Sequence, residues 1–138
     1  MSGGPAVRME DLRFAYPRRR GGSGDAEGRF ELRVSEWRVD PGERVALHGP
    51  SGCGKSTLLQ LVAGILVPQA GRLEVVGRDL TRLGEGGRRA HRVQTIGFVF
   101  QDFPLIEHLT AEENVLLPYR LNRALRLDGE ARRRARRL

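Results

Sequence analysis

One glycine-rich stretch limits what this chain can fold into more than any other feature. It fits the pattern G-x-x-x-x-G-K-[ST], whose last two positions are Lys55 and Ser56. Glycines let the backbone approach an anion closely, and successive N–H groups then point inward around it. The Lys55 ammonium suits the terminal phosphates of a chain, and the Ser56 hydroxyl suits Mg²⁺, which prefers oxygen ligands. The stretch therefore predicts a phosphate-binding loop. Its members are Gly49, Pro50, Ser51, Gly52, Cys53, Gly54, Lys55, Ser56 and Thr57.

The segments on either side of this loop follow the order that a phosphate-binding loop requires. Arg44–His48 is a short, mostly apolar run, which is typical of a buried parallel strand. Apolar residues recur at helical spacing from Leu58 to Leu66, so a helix is expected to begin near Lys55. The alternative is a glycine-rich turn that matches the pattern by chance, and the flanking segments argue against it. Lys55 is also the only lysine in the chain.

Length and charge narrow the class of protein. A chain of 138 residues suits one domain that can bury a core. No apolar run approaches the roughly 18 residues that span a bilayer, and no signal peptide is visible. The single cysteine, Cys53, permits no intrachain disulfide and fits a reducing cytosol. The net charge of +7 fits nucleic acid or an anionic membrane as partner, but the scattered arginines favour a merely arginine-rich composition.

The remaining segments predict a mixture of strands and helices. Thr110 and Glu113 form the pattern of a capping box, which opens a helix of about ten residues that Pro118 kinks or ends. The polar, glycine-interrupted segment Asp79–Arg92 is ambiguous. Strands are expected at Val7–Phe14, Phe30–Val34 with an extension to Val39, Arg72–Gly77 and Val93–Phe100, and a last helix from Asp128 or Gly129 to Leu138.

Two side chains near the ends of predicted strands are candidates for further contacts. Tyr16 follows the first strand and offers a flat ring on which a base can stack, although an ordinary strand-end aromatic fits equally well. Gln101 directly follows the strand that ends at Phe100, and its amide can hold a metal ion or a water near a terminal phosphate. A glutamine after a strand usually has no such role. From the residues alone, both functions stay open.

Several segments together resemble the ATP-binding domain of ABC transporters. The resemblance runs from Val7 to about Arg137 and is far more specific than the phosphate-binding loop alone. The segment Glu112-Glu113-Asn114-Val115 is similar to the corresponding segment in subunits of the lipoprotein-release and macrolide-export type. The segments that carry the resemblance are residues 14–17, 49–57, 96–101 and 109–115, joined by Pro41-Gly42-Glu43 and Ala63-Gly64-Ile65-Leu66.

The resemblance implies a role for each candidate side chain. Tyr16 would stack on adenine, and Thr57 would touch the α-phosphate. Lys55 and Gln101 would be the catalytic residues. Gln101 would begin the Q-loop, which contacts the attacking water in this family. Ser56 and Gln101 would contact the metal ion. The cofactors would be ATP and Mg²⁺, with residues 49–57 and Tyr16 forming the binding site for the nucleotide.

The resemblance also implies a fold class, partners and a location. The fold is expected to be α/β, with a P-loop NTPase core, an N-terminal antiparallel β-subdomain and the start of a helical subdomain. About residues 7–103 would form the β-subdomain and P-loop core, and about residues 104–138 the start of the helical subdomain. The expected partners are ATP, a membrane-spanning permease and a second ATP-binding domain in a head-to-tail dimer, with no nucleic acid. The protein would lie on the cytoplasmic face of a membrane through the permease.

Parts of the family pattern do not occur in this sequence. The signature Leu-Ser-Gly-Gly-Gln, an apolar strand ending in Asp-Glu and a later switch histidine are missing, and Leu83–Gly87 is a poor match to the signature. The chain therefore resembles the N-terminal part of an ATPase domain that powers transport, and by itself it is expected to be inactive. The alternatives are a soluble ATPase of the same type that acts on nucleic acid or ribosomes, and a nucleotide-binding but catalytically incomplete fragment.

Overall fold

A computed structural model describes residues 4–17, 30–100 and 105–137. The chain divides into two compact units, one up to Arg88 and one from Arg89 onward. The domain boundary that the sequence predicts at about residues 103 and 104 stays a prediction. The elements in chain order are β1 (Val7–Ala15), β2 (Glu31–Val39), α1 (Lys55–Val62), β3 (Ala70–Val75), β4 (Arg78–Asp79), a short 3₁₀ helix (Leu80–Arg82), α2 (Glu85–Thr95), α3 (Ala111–Leu121) and α4 (Gly129–Ala135).

The first unit contains a four-stranded antiparallel sheet in the order β2-β1-β3-β4. β1 pairs with β2 from Val7 opposite Val39 to Ala15 opposite Glu31, with one interruption at Asp11. On its other edge β1 pairs with β3, which continues through a tight turn into β4. Three of the predicted strands are therefore confirmed, and the second extends to Val39 as expected. The third begins and ends two residues earlier than predicted, because Val76 and Gly77 form the turn that leads into β4.

An irregularity in β1 lies opposite Gly71. The register of the β1–β3 pair shifts between Glu10 and Arg13, and Asp11 has a φ of 46°. An extra residue of this kind is a β-bulge, which bends a strand and increases its twist. The two strands approach so closely here that a Cβ on Gly71 would lie 2.5 Å from the carbonyl oxygen of Glu10. Glycine permits this approach because it has no Cβ.

Burial along β1 reflects the same bulge. In a regular strand every second side chain points to one face. The fully buried residues Met9 and Leu12 break this alternation, because the extra residue at Asp11 returns Leu12 to the core face. Each large apolar side chain buried in this way contributes about 1.5–3 kcal/mol. The core of the first unit also contains Phe14, Leu61, Ala63, Leu73, Val75 and Leu80.

Two predicted strands are absent from the described parts of the chain. Arg44–His48 forms no strand, and Val45 leaves 45% of its surface exposed. In the predicted strand Val93–Phe100, the first three residues form the last turn of α2, and Ile96–Phe100 has no regular structure. Both predictions are wrong. Apolar, β-prone residues are not sufficient for a strand, because a strand also needs a hydrogen-bonded neighbouring strand, and no described segment pairs with Arg44–His48 or with Ile96–Phe100.

In the second unit, the start of α3 confirms the predicted capping box. Thr110 Oγ1 accepts a hydrogen bond from the backbone N–H of Glu113 at 3.2 Å, and the Glu113 carboxylate accepts one from the N–H of Thr110 at 2.9 Å. The pKa of Glu113 is lowered mainly by the hydrogen bond from the backbone N–H of Thr110 and to a smaller extent by the one from its hydroxyl, because both stabilise the charged form of the carboxylate. The Asn114 amide donates to the carbonyls of Ile106 and Leu109, which holds the preceding loop against the helix.

The later part of the second unit differs from the predictions at two helix ends. Pro118 does not end α3, which continues to Leu121, because a proline in the last turn removes few helical hydrogen bonds. Asp128 caps α4 by accepting from the N–H of Ala131 at 2.9 Å, and this bond lowers the pKa of Asp128. α4 ends at Ala135, short of the predicted end at the last residue. Among the described residues, no helix is long and apolar enough to cross a membrane.

Candidate functional site

The glycine-rich loop ends where α1 begins, at Lys55. The preceding residue, Gly54, has a φ of 100°, a region in which an L side chain is strained. Within the described residues, no side chain caps this end of α1. The first N–H groups of a helix have no partner inside it, and the helix dipole places partial positive charge there. This end of α1 therefore offers several donors to an anion.

Two glycines of the loop occupy positions that no larger residue fits without movement. A Cβ on Gly49 would lie 2.9 Å from Sγ of Cys53. A Cβ on Gly54 would lie 2.8 Å from Cζ of Phe30. The loop thus packs against its own Cys53 and against the Phe30 ring, with backbone in place of side chains at its bends. Such a cradle suits a phosphate chain, which binds where backbone N–H groups approach it closely.

The Lys55 ammonium folds back over the loop. It donates to the carbonyl oxygens of Gly49 and Pro50 at 2.8 Å each and lies 3.6 Å from Sγ of Cys53. These contacts connect the start of α1 with the start of the loop. They also place a full positive charge at the end of α1 that carries the partial positive charge of the helix dipole. An anion near this end would meet both charges.

Ser56 and Thr57 lie in the first turn of α1. Ser56 is exposed, whereas Thr57 is buried, with 7% of its surface accessible. The Oγ1 atom of Thr57 lies 3.1 Å from the hydroxyl of Tyr16, and either atom can be the donor. The structure therefore brings Tyr16 into contact with α1, the helix that follows the glycine-rich loop, although Tyr16 and Thr57 are 41 positions apart in the chain. The roles predicted for these side chains toward a nucleotide stay predictions.

The ring of Tyr16 lies in a small aromatic cluster at the end of β1. The Phe14 ring meets it edge to face, with centroids 5.0 Å apart and planes at 84°. The Phe30 ring is tilted against it at 5.9 Å. Tyr16 nevertheless exposes 45% of its surface, so part of its ring remains available for stacking.

One further residue at this place, Gln69, was not among the candidates predicted from the sequence. Its side-chain amide contacts Ala15, the residue directly before Tyr16: Ala15 donates its N–H to Oε1 at 2.8 Å, and Nε2 donates to the Ala15 carbonyl at 2.9 Å. The two residues are separated by 54 positions, so no local sequence pattern predicts the contact. A polar amide directly before a strand is the only signal, and it is a weak one.

The predicted metal ligands can be located only in part. Gln101, predicted to contact Mg²⁺ and the attacking water, lies outside the described residues. Ser56 is described and exposed at the start of α1. Across residues 4–17, 30–100 and 105–137, no group of three or more His, Cys, Asp or Glu side chains is arranged to hold a metal ion. The magnesium site therefore stays a prediction that rests on Ser56 and Gln101.

Comparison with known proteins identifies the family. A family model described as "ABC transporter" matches residues 32–138, which is most of the chain. This chain belongs to the ABC transporter ATP-binding family. One curated relative is the lipoprotein-releasing system ATP-binding protein LolD of Ruegeria pomeroyi. It is 48% identical over 91 residues, which cover 66% of this chain and 40% of that protein. Another is the sulfate/thiosulfate import ATP-binding protein CysA of Gloeobacter violaceus, 38% identical over 109 residues, or 79% of this chain and 29% of that protein.

A solved structure agrees with this assignment. The dimeric structure of a post-hydrolysis state of the ATP-binding cassette MJ0796, bound to ADP and Pi, matches with a TM-score of 0.71 and 30% sequence identity. The match covers 95% of this chain and 54% of that one. The resemblance to the family and the predicted α/β fold with an antiparallel subdomain are therefore confirmed. The chain spans about half the length, or less, of the proteins that it matches.

Proposed function

We propose that this chain binds ATP with Mg²⁺ as part of the ATP-binding subunit of an ABC transporter. The observation that carries the proposal is the glycine-rich loop at the start of α1. There Gly49 and Gly54 leave no room for a Cβ, and the Lys55 ammonium lies over the loop carbonyls. Backbone donors, a helix dipole and a lysine charge meet at one place, which is the combination that suits a polyphosphate.

Each side chain of the site has its own task in this proposal. Lys55 offsets charge on the β and γ phosphates, and Thr57 contacts the α-phosphate. Ser56 supplies an oxygen ligand to Mg²⁺, which neutralises phosphate charge when bound. Tyr16 stacks on the adenine, and Gln101 contacts the metal and orients the attacking water. The other loop residues, which are Gly49, Pro50, Ser51, Gly52, Cys53 and Gly54, line the phosphates mainly with backbone.

We further propose that the complete protein couples ATP binding and hydrolysis to transport. It would lie on the cytoplasmic face of a membrane through a permease partner and pair head to tail with a second ATP-binding domain. The names of the relatives support this, since one is an ATP-binding protein of a lipoprotein-releasing system and another of an import system. The identity of 48% over 91 residues to the lipoprotein-releasing protein supports the lipoprotein-release type. Neither name favours the alternative of a soluble ATPase acting on nucleic acid or ribosomes.

A calorimetric titration with ATP and Mg²⁺ tests nucleotide binding. Lys55→Ala removes the ammonium from the loop and should weaken binding about 10- to 100-fold, because hydrogen bonds to charged groups are worth about 1.5–3 kcal/mol. Arg137→Ala removes the same unit of charge at an exposed residue outside the loop and should leave affinity within about twofold. Equal affinity for Lys55→Ala and the unchanged chain would refute the proposed site.

We propose that this chain by itself does not hydrolyse ATP above background. Its sequence contains no Leu-Ser-Gly-Gly-Gln signature and no Asp-Glu pair. A loop that binds ATP and the transition state equally well does not raise the chemical rate. Phosphate release by the purified chain checks this, with Lys55→Ala as a control for contaminating ATPases. Turnover near ~1 s⁻¹ that disappears in Lys55→Ala would contradict the proposal.

A further inference from the structure

The side chain of Gln69 binds both backbone polar groups of Ala15. The Ala15 N–H donates to Oε1 at 2.8 Å, and the Gln69 amide nitrogen donates to the Ala15 carbonyl at 2.9 Å. The backbone N–H of Gln69 also donates to the carbonyl of Arg13 at 2.8 Å. Ala15 is buried, with 7% of its surface accessible, so polar groups of its backbone require partners within the protein. Gln69 supplies a donor and an acceptor at the same time.

These contacts extend the pairing of two strands beyond the end of one of them. The ladder between β1 and β3 ends where Arg13 faces Ala70, because β3 begins at Ala70. Backbone groups of residues two apart in a strand face the same edge, so Ala15 presents its N–H and C=O where β3 has already ended. A glutamine amide has the shape and polarity of a peptide group. The Gln69 side chain therefore takes the place of a missing strand residue opposite Ala15.

The residue that benefits from this support is Tyr16. Its backbone follows Ala15 directly, and its ring is packed edge to face against Phe14, the residue before Ala15. Its hydroxyl reaches Thr57 Oγ1 at 3.1 Å in the first turn of α1. A change in the direction of the chain at Ala15 would turn the Tyr16 ring and carry it away from the loop helix. The two amide bonds from Gln69 oppose such a change.

We propose that Gln69 is a positioning residue that fixes the Tyr16 ring for stacking with the nucleotide base. The inference rests on the proposed function, in which Tyr16 is the adenine platform. It has a specific consequence: Gln69 should act far more on the base end of the ligand than on the phosphate end, which it reaches only through the contact between Tyr16 and Thr57. The phosphate contacts come from residues 49–57, which Gln69 does not touch through any of the hydrogen bonds described above.

Titration of the full chain with ATP and with inorganic tripolyphosphate separates the two ends. Gln69→Ala should weaken ATP binding roughly three- to tenfold, since a hydrogen bond is worth about 0.5–1.5 kcal/mol, and change tripolyphosphate binding by no more than about twofold. Gln69→Glu keeps an acceptor for the Ala15 N–H but sets a carboxylate against the Ala15 carbonyl, so a loss at least as large as that of Gln69→Ala is expected. Gln94→Ala is the control, because that amide also donates to a backbone carbonyl, of Ala124 at 3.3 Å.

A double-mutant cycle shows whether Gln69 acts through the ring. In a Tyr16→Ala background, Gln69→Ala should cause no further loss of ATP affinity, because the group that it positions is gone. A further loss there, or equal weakening of ATP and tripolyphosphate, would overturn the inference and give Gln69 a general role in stability. A loss in Tyr16→Ala with none in Gln69→Ala would overturn it as well while sparing the proposed platform. Unchanged ATP affinity in Tyr16→Ala would refute the platform itself, and the inference with it.

Discussion

Replacing Gly71 with alanine tests the close approach of β1 and β3 at the bulge. Gly71 has a φ of 86°, where an L residue costs about 1–2 kcal/mol. The new Cβ would also lie 2.5 Å from the carbonyl oxygen of Glu10 and closer still to that of Asp11. These oxygens are backbone atoms of β1, which cannot move without moving the strand, so relief requires shifting the bulge, at a further cost of about 1–3 kcal/mol. We expect the free energy of unfolding to fall by about 2–5 kcal/mol.

The chain offers a matched control for this substitution. Gly77 has a φ of 71°, but nothing lies within 4 Å of a Cβ placed on it. Gly77→Ala should therefore lose only the conformational part, about 1–2 kcal/mol. The difference between the two variants isolates the contact with the backbone of β1.

Urea denaturation followed by tryptophan fluorescence measures both losses. Trp37 is the only tryptophan and lies opposite Met9 in the same sheet, so its emission reports on the affected strands. Domains of ordinary stability unfold with about 5–15 kcal/mol, so the expected loss in Gly71→Ala is a large part of the total. Equal midpoints and equal slopes for Gly71→Ala and Gly77→Ala would show that the bulge adapts without cost, and the argument from close approach would then be wrong.

Two further predictions concern the loop and the cap of α3. Gly54→Ala brings a Cβ to 2.8 Å from Cζ of Phe30 and should lower the unfolding temperature more than Gly52→Ala, which has open space at a φ of 80°; equal temperatures would contradict this. The pKa of Glu113 is lowered by Thr110, so its contribution to stability is full above its usual value of 4.5 and is lost as the pH falls through the lowered value. The unfolding temperature should therefore fall less between about pH 7 and about pH 3 for Glu113→Gln than for the unchanged chain. Equal decreases for the two proteins would count against the capping box.

Features encoded over a few residues could be predicted from the sequence. The capping box of α3 depends on Thr110 and Glu113, which lie within one turn of helix, and the structure shows it as expected. The start of α1 at Lys55 follows from the glycines before it and the apolar spacing after it. The first two strands and β3 also show their own patterns of side chains. In each case the physical cause lies inside the segment that carries the signal.

Features that depend on a distant partner could not be predicted in this way. Arg44–His48 has the composition of a strand, but a strand also needs a neighbour that local composition does not describe. The contact between Gln69 and Ala15, and the close approach of Gly71 to Asp11, arise only when β1 and β3 pair. The sequence indicated Tyr16 as an aromatic near the end of a strand, and the fold supplies the reason why its hydroxyl meets the loop helix.

The contacts of Lys55 have a kinetic consequence. An ammonium group has three donors, and Lys55 directs them to the carbonyls of Gly49 and Pro50 and toward Sγ of Cys53. This internal tether holds the loop curved before any ligand arrives. Ordering a backbone residue costs about 1–2 kcal/mol, and here that cost falls on folding instead of on binding. Capture of an anion then requires Lys55 to exchange one of these acceptors for the anion while the loop backbone keeps its curvature, so the association rate should follow long-range charge attraction and decline steadily with ionic strength.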